Sequence, residues 1–145
     1  MSEQNGMHME YTIDNNDFAA AGEASSKVKK MLVMLGVAPA TIKKVAIAMY
    51  EAEINAFIHG GGGKAIIDIS TEKIGISIED HGKGIADLNL AMQEGYSTAS
   101  EEVRMLGFGA GMGLPNIKRN VDELDIETAP SQGTKVKMVF YIPRA

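Results

Sequence analysis

A two-layer α/β (α+β) sandwich, its sheet mixed but mainly antiparallel and covered by helices on one face, is the fold class the sequence predicts. Three observations predict it. Between Val28 and Ile58 apolar residues recur at three- and four-residue spacing, as on the buried side of helices. Short runs rich in isoleucine and valine come next, bounded by turn formers, as in strands. The segments come in the order β-α-α-β-β-α-loop-α-β-β, which suits a sheet with its helices on one face.

Met7–Ile13 alternates and reads as a first strand, and Asp17 is a candidate N-cap for the helix after it. That helical stretch runs from Phe18 to Leu35, weakened by Gly22 and ended by Gly36, with Val28, Met31, Leu32 and Leu35 on one face. Pro39 opens a second helix to about His59, sustained by Ile42, Val45, Ala46, Met49, Ile54, Phe57 and Ile58 and stopped by Gly60–Gly63. Ala65–Ser70 and Gly75–Glu79 read as strands joined through a Thr71–Lys73 turn. Asp87–Glu94 is a short helix and Gly95–Met112 a long loop without sustained period. Leu114–Val121 is helical, and Leu124–Thr128 and Thr134–Ile142 are strands around a Pro130–Gly133 turn. No repeat, linker or low-complexity segment interrupts the pattern, and 145 residues is near the modal domain size, so residues 1–145 read as one domain.

Composition narrows the function classes. A net charge of −5 gives no electrostatic reason to expect a nucleic-acid partner. No apolar run is long enough to span a bilayer, and the start MSEQNGMHMEY lacks the basic and apolar regions of a signal peptide, so no membrane association is expected. Cysteine is absent, which excludes disulfides and thiolate metal sites and is compatible with a cytoplasmic location. The sixteen glycines outnumber the four prolines, and their clusters carry much of the functional reading.

Glu51 and Asn55 stand four residues apart on the second helix, hence one turn apart on one face. A solvated flank of an amphipathic helix would look the same. The functional alternative is a carboxylate beside a neutral oxygen donor. The Asn oxygen suits a hard cation such as Mg, and the Glu suits a group that orients or deprotonates a nucleophile. Asp80-His81-Gly82-Lys83-Gly84-Ile85 ends a strand. There a carboxylate can accept from the exocyclic amine of a purine while glycines let a flat ligand approach the backbone, although a plain strand-ending turn also favours Asp and Gly. Gly107-Phe108-Gly109-Ala110-Gly111-Met112-Gly113-Leu114 alternates glycine directly before a helix. Backbone N–H groups in such a run, with the positive end of the helix dipole, form an anion nest suited to a polyphosphate. A flexible linker is the competing account, but it would be Ser-rich and would not open a helix.

Other motifs fail on spacing. Gly60–Lys64 resembles a P-loop, yet the first glycine position falls on Ile58 and Ala65 follows the lysine. The same run fits a dinucleotide fingerprint only in reversed context, after a helix and before a strand. Eukaryotic-type kinase signatures are missing. His8, His59 and His81 form no metalloprotease pattern, and no Ser/His/Asp set can be assembled.

Taken together, E-x-x-x-N on a helix, D-x-G-x-G after a strand, alternating glycine before a helix, and Gly133-Thr134 near the end resemble the GHKL ATPase superfamily across nearly the whole chain. That group includes gyrase B, MutL, histidine kinases and the bacterial anti-sigma serine kinases, and it implies the Bergerat ATP-binding fold with ATP and Mg as cofactors. The resemblance implies that Glu51 is the general base, Asn55 the Mg ligand and Asp80 the adenine-binding residue, with Thr134 supporting Asp80 through water. It implies that Gly82, Gly84 and Ile85 shape the purine pocket. Gly107, Gly109, Gly111, Met112, Gly113 and Leu114 would lie by the phosphates, within and after a Gly95–Met112 lid. Arg104 would pair with the terminal phosphate or remain a solvated lid charge.

Several superfamily members need further domains or a phosphoacceptor helix, for which 145 residues leave no room. The remaining resemblance is to stand-alone bacterial serine/threonine kinases of partner-switching systems. Glu94–Thr98 and Gly109–Pro115 look more like the stress-response switch kinases than the sigma-binding anti-sigma factors, although Ala99–Leu106 is longer than the lid of that group. The expected activity is phosphorylation of a STAS-domain anti-sigma-factor antagonist. The alternatives are an anti-sigma factor that sequesters a sigma factor and a detached histidine-kinase-like ATPase domain. A homodimer is compatible with each.

Overall fold

The computed structural model of the chain describes residues 6–14, 16, 20–58, 61–82, 113–128 and 133–143. In chain order these form β1 (Met7–Ile13), α1 (Glu23–Met34), α2 (Pro39–Ile58), β2 (Gly63–Ile69), β3 (Lys73–Asp80), α3 (Gly113–Asn120), β4 (Glu123–Thr128) and β5 (Thr134–Tyr141). Asp17, the expected Asp87–Glu94 helix, the Gly95–Met112 loop and the middle of the Pro130–Gly133 turn lie outside the described residues.

The strands make one five-stranded sheet in the order β1-β2-β3-β5-β4. Every neighbouring pair is antiparallel, so the described sheet is more uniform than the mixed one expected. Two of its pairs join strands adjacent in sequence, an arrangement that only antiparallel strands reach through a short turn. The β2–β3 turn is closed by Ser70, whose N–H donates to the Lys73 carbonyl at 2.9 Å. The Ser70 hydroxyl accepts from the N–H groups of Glu72 at 3.3 Å and Lys73 at 3.2 Å.

Side chains alternate across the pleat. Ile74, Ile76 and Ile78 of β3, Ile67 of β2, and Val136, Met138 and Phe140 of β5 are buried. They pack with Val28 and Leu32 of α1, Val45 and Met49 of α2, and Ile117 of α3. Each aliphatic or aromatic side chain taken from water there contributes about 1.5–3 kcal/mol before entropy is counted. The intervening positions Ser77, Glu79, Lys135 and Lys137 therefore lie on the opposite side of the sheet. The two layers expected from the sequence are a sheet and one layer of helices.

Helix α1 departs from expectation at its start, which is Glu23 and not Phe18. Gly22 has a φ of 85°, a left-handed conformation that breaks any continuous helix through it. A side chain at that position would also meet the Tyr50 ring, the nearest ring carbon lying 2.8 Å from where its Cβ would stand.

Candidate functional site

The site starts from the last residue of the central strand. Asp80 continues the series Ile74, Ile76, Ile78, so it emerges on the helix-facing side of β3. The register seats it between Gly63 of β2 and Thr134 of β5. Its Oδ1 accepts from the N–H groups of Gly82 at 2.9 Å and Thr134 at 3.2 Å. Among the described residues no donor reaches Oδ2. The carboxylate is thus anchored by one oxygen and offers the other as an acceptor.

Both chains flanking Asp80 come close because they carry glycine. A Cβ at Gly63 would collide with the Glu79 carbonyl oxygen, and one at Gly133, where φ is 82°, would collide with the Asp80 carbonyl oxygen. Next to them the Thr128 hydroxyl donates to the Gly133 carbonyl at 3.2 Å, and Thr128 Oγ1 lies 3.0 Å from Thr134 Oγ1. Either hydroxyl of that pair can be the donor, and both oxygens can accept.

The other candidates lie on the second half of α2, a helix that packs against β3 and β5. There Ala52, Glu53, Ile54, Ala56 and Phe57 are buried, whereas Glu51, Asn55 and Ile58 are half-buried on a single stripe. Glu51 and Asn55 are therefore neither core residues nor a freely solvated flank. Burial pushes the Glu51 carboxyl above its ordinary value, and a hydrogen bond from the Asn116 side chain on α3 works against that rise. Asn116 is itself held, its Oδ1 accepting from Arg119 Nη1 at 3.0 Å.

The structure places Glu51 and Asn55 on α2, Asp80 at the end of β3 with Gly82 two residues beyond it, and Thr134 at the start of β5, and α2 packs against both strands. Gly113 and Leu114 open α3 where a helix start was expected, and Leu114 is buried in the core. Gly84, Ile85, Arg104, Gly107, Gly109, Gly111 and Met112 lie outside the described residues. Asn116 and Thr128 carried no sequence signal that marked them. Gly63 did carry one, since a glycine inside a strand marks close approach of another backbone, but it read as a helix stop.

The donor set bears on which groups the site could hold. Asp80 Oδ2 and Thr134 Oγ1 are acceptors that match an exocyclic amine or a bound water. Among the described residues no cluster of three or more His, Asp or Glu could hold a metal alone. Asn55 supplies one neutral oxygen, which fits Mg arriving with anionic oxygens of its ligand, the usual way Mg is held beside phosphates. Nor, among the described residues, is any helix long and apolar enough to cross a membrane.

Family comparison names the class of this fold. The model of the histidine kinase-like ATPase domain matches residues 15–140, and the chain belongs to that family. Its relatives narrow the group. It is 42% identical over 110 residues to the anti-sigma F factor of a Thermoanaerobacter species, covering 70% of this chain and 73% of that protein. It is 27% identical over 130 residues to the Bacillus subtilis serine/threonine-protein kinase RsbT, covering 87% and 90%. Identity is thus higher to this anti-sigma F factor than to this kinase.

Solved structures share the fold. The RsbU and RsbW domains of a Mycobacterium tuberculosis protein match with a TM-score of 0.65 at 17% identity, over 95% of this chain. The chain spans only 32% of that longer protein. The SiaB–SiaC complex from Pseudomonas aeruginosa matches with a TM-score of 0.53 at 12% identity, over 97% of this chain and 92% of that one.

Proposed function

We propose that the chain is an ATP- and Mg-dependent serine/threonine protein kinase of a partner-switching system, transferring the γ-phosphate to a STAS-domain anti-sigma-factor antagonist. The observation that carries this reading is Glu51, a half-buried carboxylate whose proton affinity is raised by burial, one turn before Asn55. A general base works best with a pKa moved toward the operating pH. Phosphoryl transfer asks the protein mainly for positioning and charge neutralisation, with one residue to receive or orient the nucleophile's proton. In this reading Asp80 accepts from the adenine amine through Oδ2, Thr134 supports it through water, and the glycines from Gly107 to Gly113 receive the phosphates. Asn55 would hold Mg, which would neutralise phosphate charge. Glu51 would accept the proton of the incoming hydroxyl. The kinase relative, similar over 87% of this chain, supports the assignment of chemistry.

The 42% identity to an anti-sigma F factor favours a second reading, nucleotide-dependent sequestration of a sigma factor. The two separate in one experiment: incubate the purified chain with ATP, Mg and either a STAS-domain antagonist or a sigma factor. Then follow phosphate on serine or threonine and complex formation in parallel. Phosphoserine or phosphothreonine on the antagonist is the expected result. A tight sigma complex with no transfer to any antagonist would replace the kinase by the sequestering module. Acid-labile phosphate on histidine would indicate a histidine-kinase-like domain.

A further inference from the structure

We infer that the outer surface of the α1–α2 hairpin, an apolar tip at Val33–Leu35 flanked by Lys29, Lys30, Lys43 and Lys44, is a docking surface for an anionic lipid bilayer. This contact stands whatever chemistry occurs at Glu51.

Charge is the first observation. From Ala24 to Tyr50 the chain has five lysines and no Asp or Glu, although its formal net charge is −5. One of the five, Lys27, is paired with Glu23 at 2.9 Å. The other four are exposed and make no ion pair among the described residues. Lys29 and Lys30 stand one turn before Val33 and Met34 on α1, and Lys43 and Lys44 lie on the first half of α2. Both helices bury their other sides in the one core, α1 through Val28 and Leu32 and α2 through Val45 and Met49. Their exposed sides therefore share the outer surface of the helical layer.

The tip is the second observation. Val33 is 61% exposed, Met34 80% and Leu35 45%, three consecutive apolar side chains that the core does not use. The turn beneath them is closed on itself. The N–H groups of Leu35, Gly36 and Val37 donate to the carbonyls of Met31, Val33 and Leu32 at 3.0, 3.1 and 3.1 Å. Gly36 has a φ of 77°, the left-handed conformation that this helix ending uses. Three carbonyls at the end of α1 are thus satisfied without water, which lowers the cost of moving the tip into a water-poor layer.

Composition selects the partner. Protein interfaces are enriched in aromatic residues and Arg and depleted in Lys, whereas the segment from Ala24 to Tyr50 has no Arg. Lysine is a compact charge on a flexible stem, which suits a diffuse layer of anionic headgroups. A second copy docking by the same patch would set these lysines against one another, because a two-fold contact is self-complementary. Lying on a bilayer requires no helix long enough to cross it, so this contact revises the expectation of no membrane association, which concerned spanning and leader segments. Helix α2 has 20 residues and is therefore about 30 Å long. Its far end leads through Gly62 into β2, where Gly63 pairs with Asp80. A bilayer at the tip would leave that end of the sheet on the side away from the lipid.

Sedimentation of the full chain with vesicles is the test. The chain should pellet with equal parts phosphatidylglycerol and phosphatidylcholine, stay in solution with phosphatidylcholine alone, and be released by about 1 M salt. Lys29→Gln, Lys30→Gln and Lys43→Gln combined should weaken binding about 100-fold, roughly fivefold for each charge. Lys64→Gln, Lys135→Gln and Lys137→Gln combined, on the opposite face of the sheet, should change it by less than about twofold. Equal losses in the two triple variants would show an effect of bulk charge and overturn the assignment. All six side chains lie outside the core, so both variants should keep the wild-type circular dichroism spectrum. The chain has no tryptophan, so Met34→Trp supplies a single reporter at the tip. Its emission should shift to the blue on anionic vesicles and be quenched by brominated lipid; an unshifted emission overturns insertion. Polyglutamate that binds the same lysines with the same blue shift would replace the bilayer by an acidic protein. A dimer in sedimentation velocity that Met34→Ser dissolves would replace it by a second copy.

Discussion

Glu51 and Glu53 stand two residues apart on α2, on opposite flanks of the helix, and their surroundings give one carboxylate two different uses. Glu53 is 2% exposed and faces α1. Its oxygens accept from the N–H groups of Ser25 at 2.9 Å and Ala24 at 3.2 Å and from the Ser25 hydroxyl at 2.6 Å. Those are orphan donors of the first turn of α1, whose own N-cap is Gly22 with no side chain to offer. A buried carboxyl group is tolerated there because both of its oxygens are hydrogen-bonded at the start of a helix. Glu51, on the flank toward α3, is half-buried, and among the described residues the Asn116 side chain is the group that opposes the effect of burial on its carboxyl. The saturated carboxylate is a structural cap.

The comparison breaks most visibly if the two residues are neutralised in turn. Glu51→Gln should lower phosphotransfer by about 10²–10⁴-fold with ATP binding nearly intact, read in a transfer assay beside calorimetric titration. Its effect on stability has the opposite sign. Because the folded pKa of Glu51 is raised, the ionised carboxylate costs stability at neutral pH. Glu51→Gln should therefore raise Tm at neutral pH, and the gain should vanish as pH falls through the raised pKa toward the ordinary glutamate value. A Tm difference independent of pH would contradict the assigned burial effect.

Glu53→Ala should show the reverse profile, a loss of about 2–4 kcal/mol of stability as the α1 N–H groups lose their acceptor. For a chain of this size that is a Tm lower by roughly 10 °C, measurable by calorimetry. A melting point unchanged by Glu53→Ala would mean that water caps α1 equally well.

Asp80→Asn sharpens the contrast at the other wall. The Asn oxygen can replace Oδ1 toward Gly82 and Thr134, so the fold should hold, while an amide NH₂ takes the place of Oδ2. Loss of that one acceptor should cost about 1.5–3 kcal/mol of ATP affinity, and GTP should bind the wild type poorly. Equal wild-type affinity for ATP and GTP would sink the adenine assignment.

The smallest effect belongs to His8 on β1, an exposed ion pair that serves as a control. Hydrogen bonds first to Glu10, at 2.8 Å, and then to Asp68, at 2.6 Å, raise its pKa. A raised histidine contributes stability that is full below its unfolded pKa and is lost as pH climbs through the folded one. His8→Ala should therefore matter slightly more at about pH 5.5 than at about pH 8.5 in thermal melts. No pH trend would show the pair to be energetically idle, as many surface pairs are.

Local signals carried most of the fold. The 3.6-residue period of Ile42, Val45, Met49 and Phe57 marked α2 almost to the residue, and the alternating isoleucines marked β2 and β3. The residues proposed for the site, Glu51, Asn55 and Asp80, were named from short motifs, and the structure puts them on α2 and at the end of β3. What escaped was non-local. The start of α1 was placed five residues early because its cap comes from Glu53, 28 positions from Ser25 in sequence, and no local pattern encodes that. Glu53 itself sits on a helix face that periodicity assigns to the core, where a lone acid has no obvious place. Asn116 meets Glu51 only once α3 packs on α2. Gly63 gave a true glycine signal whose meaning depends on a strand pairing the sequence does not state.

Asp80 belongs to the middle strand of five, laced on both sides to neighbours whose glycines leave no slack. A group docking against that carboxylate meets a floor that cannot yield without unpicking two ladders at once. Among the described residues, the helical side is where side chains can change without breaking a ladder. Any attempt to retune which ligand the chain accepts would do better to rebuild residues facing the strand end than the strand end itself. Changes to the floor trade recognition directly against cooperativity of folding, whereas changes to the wall do not.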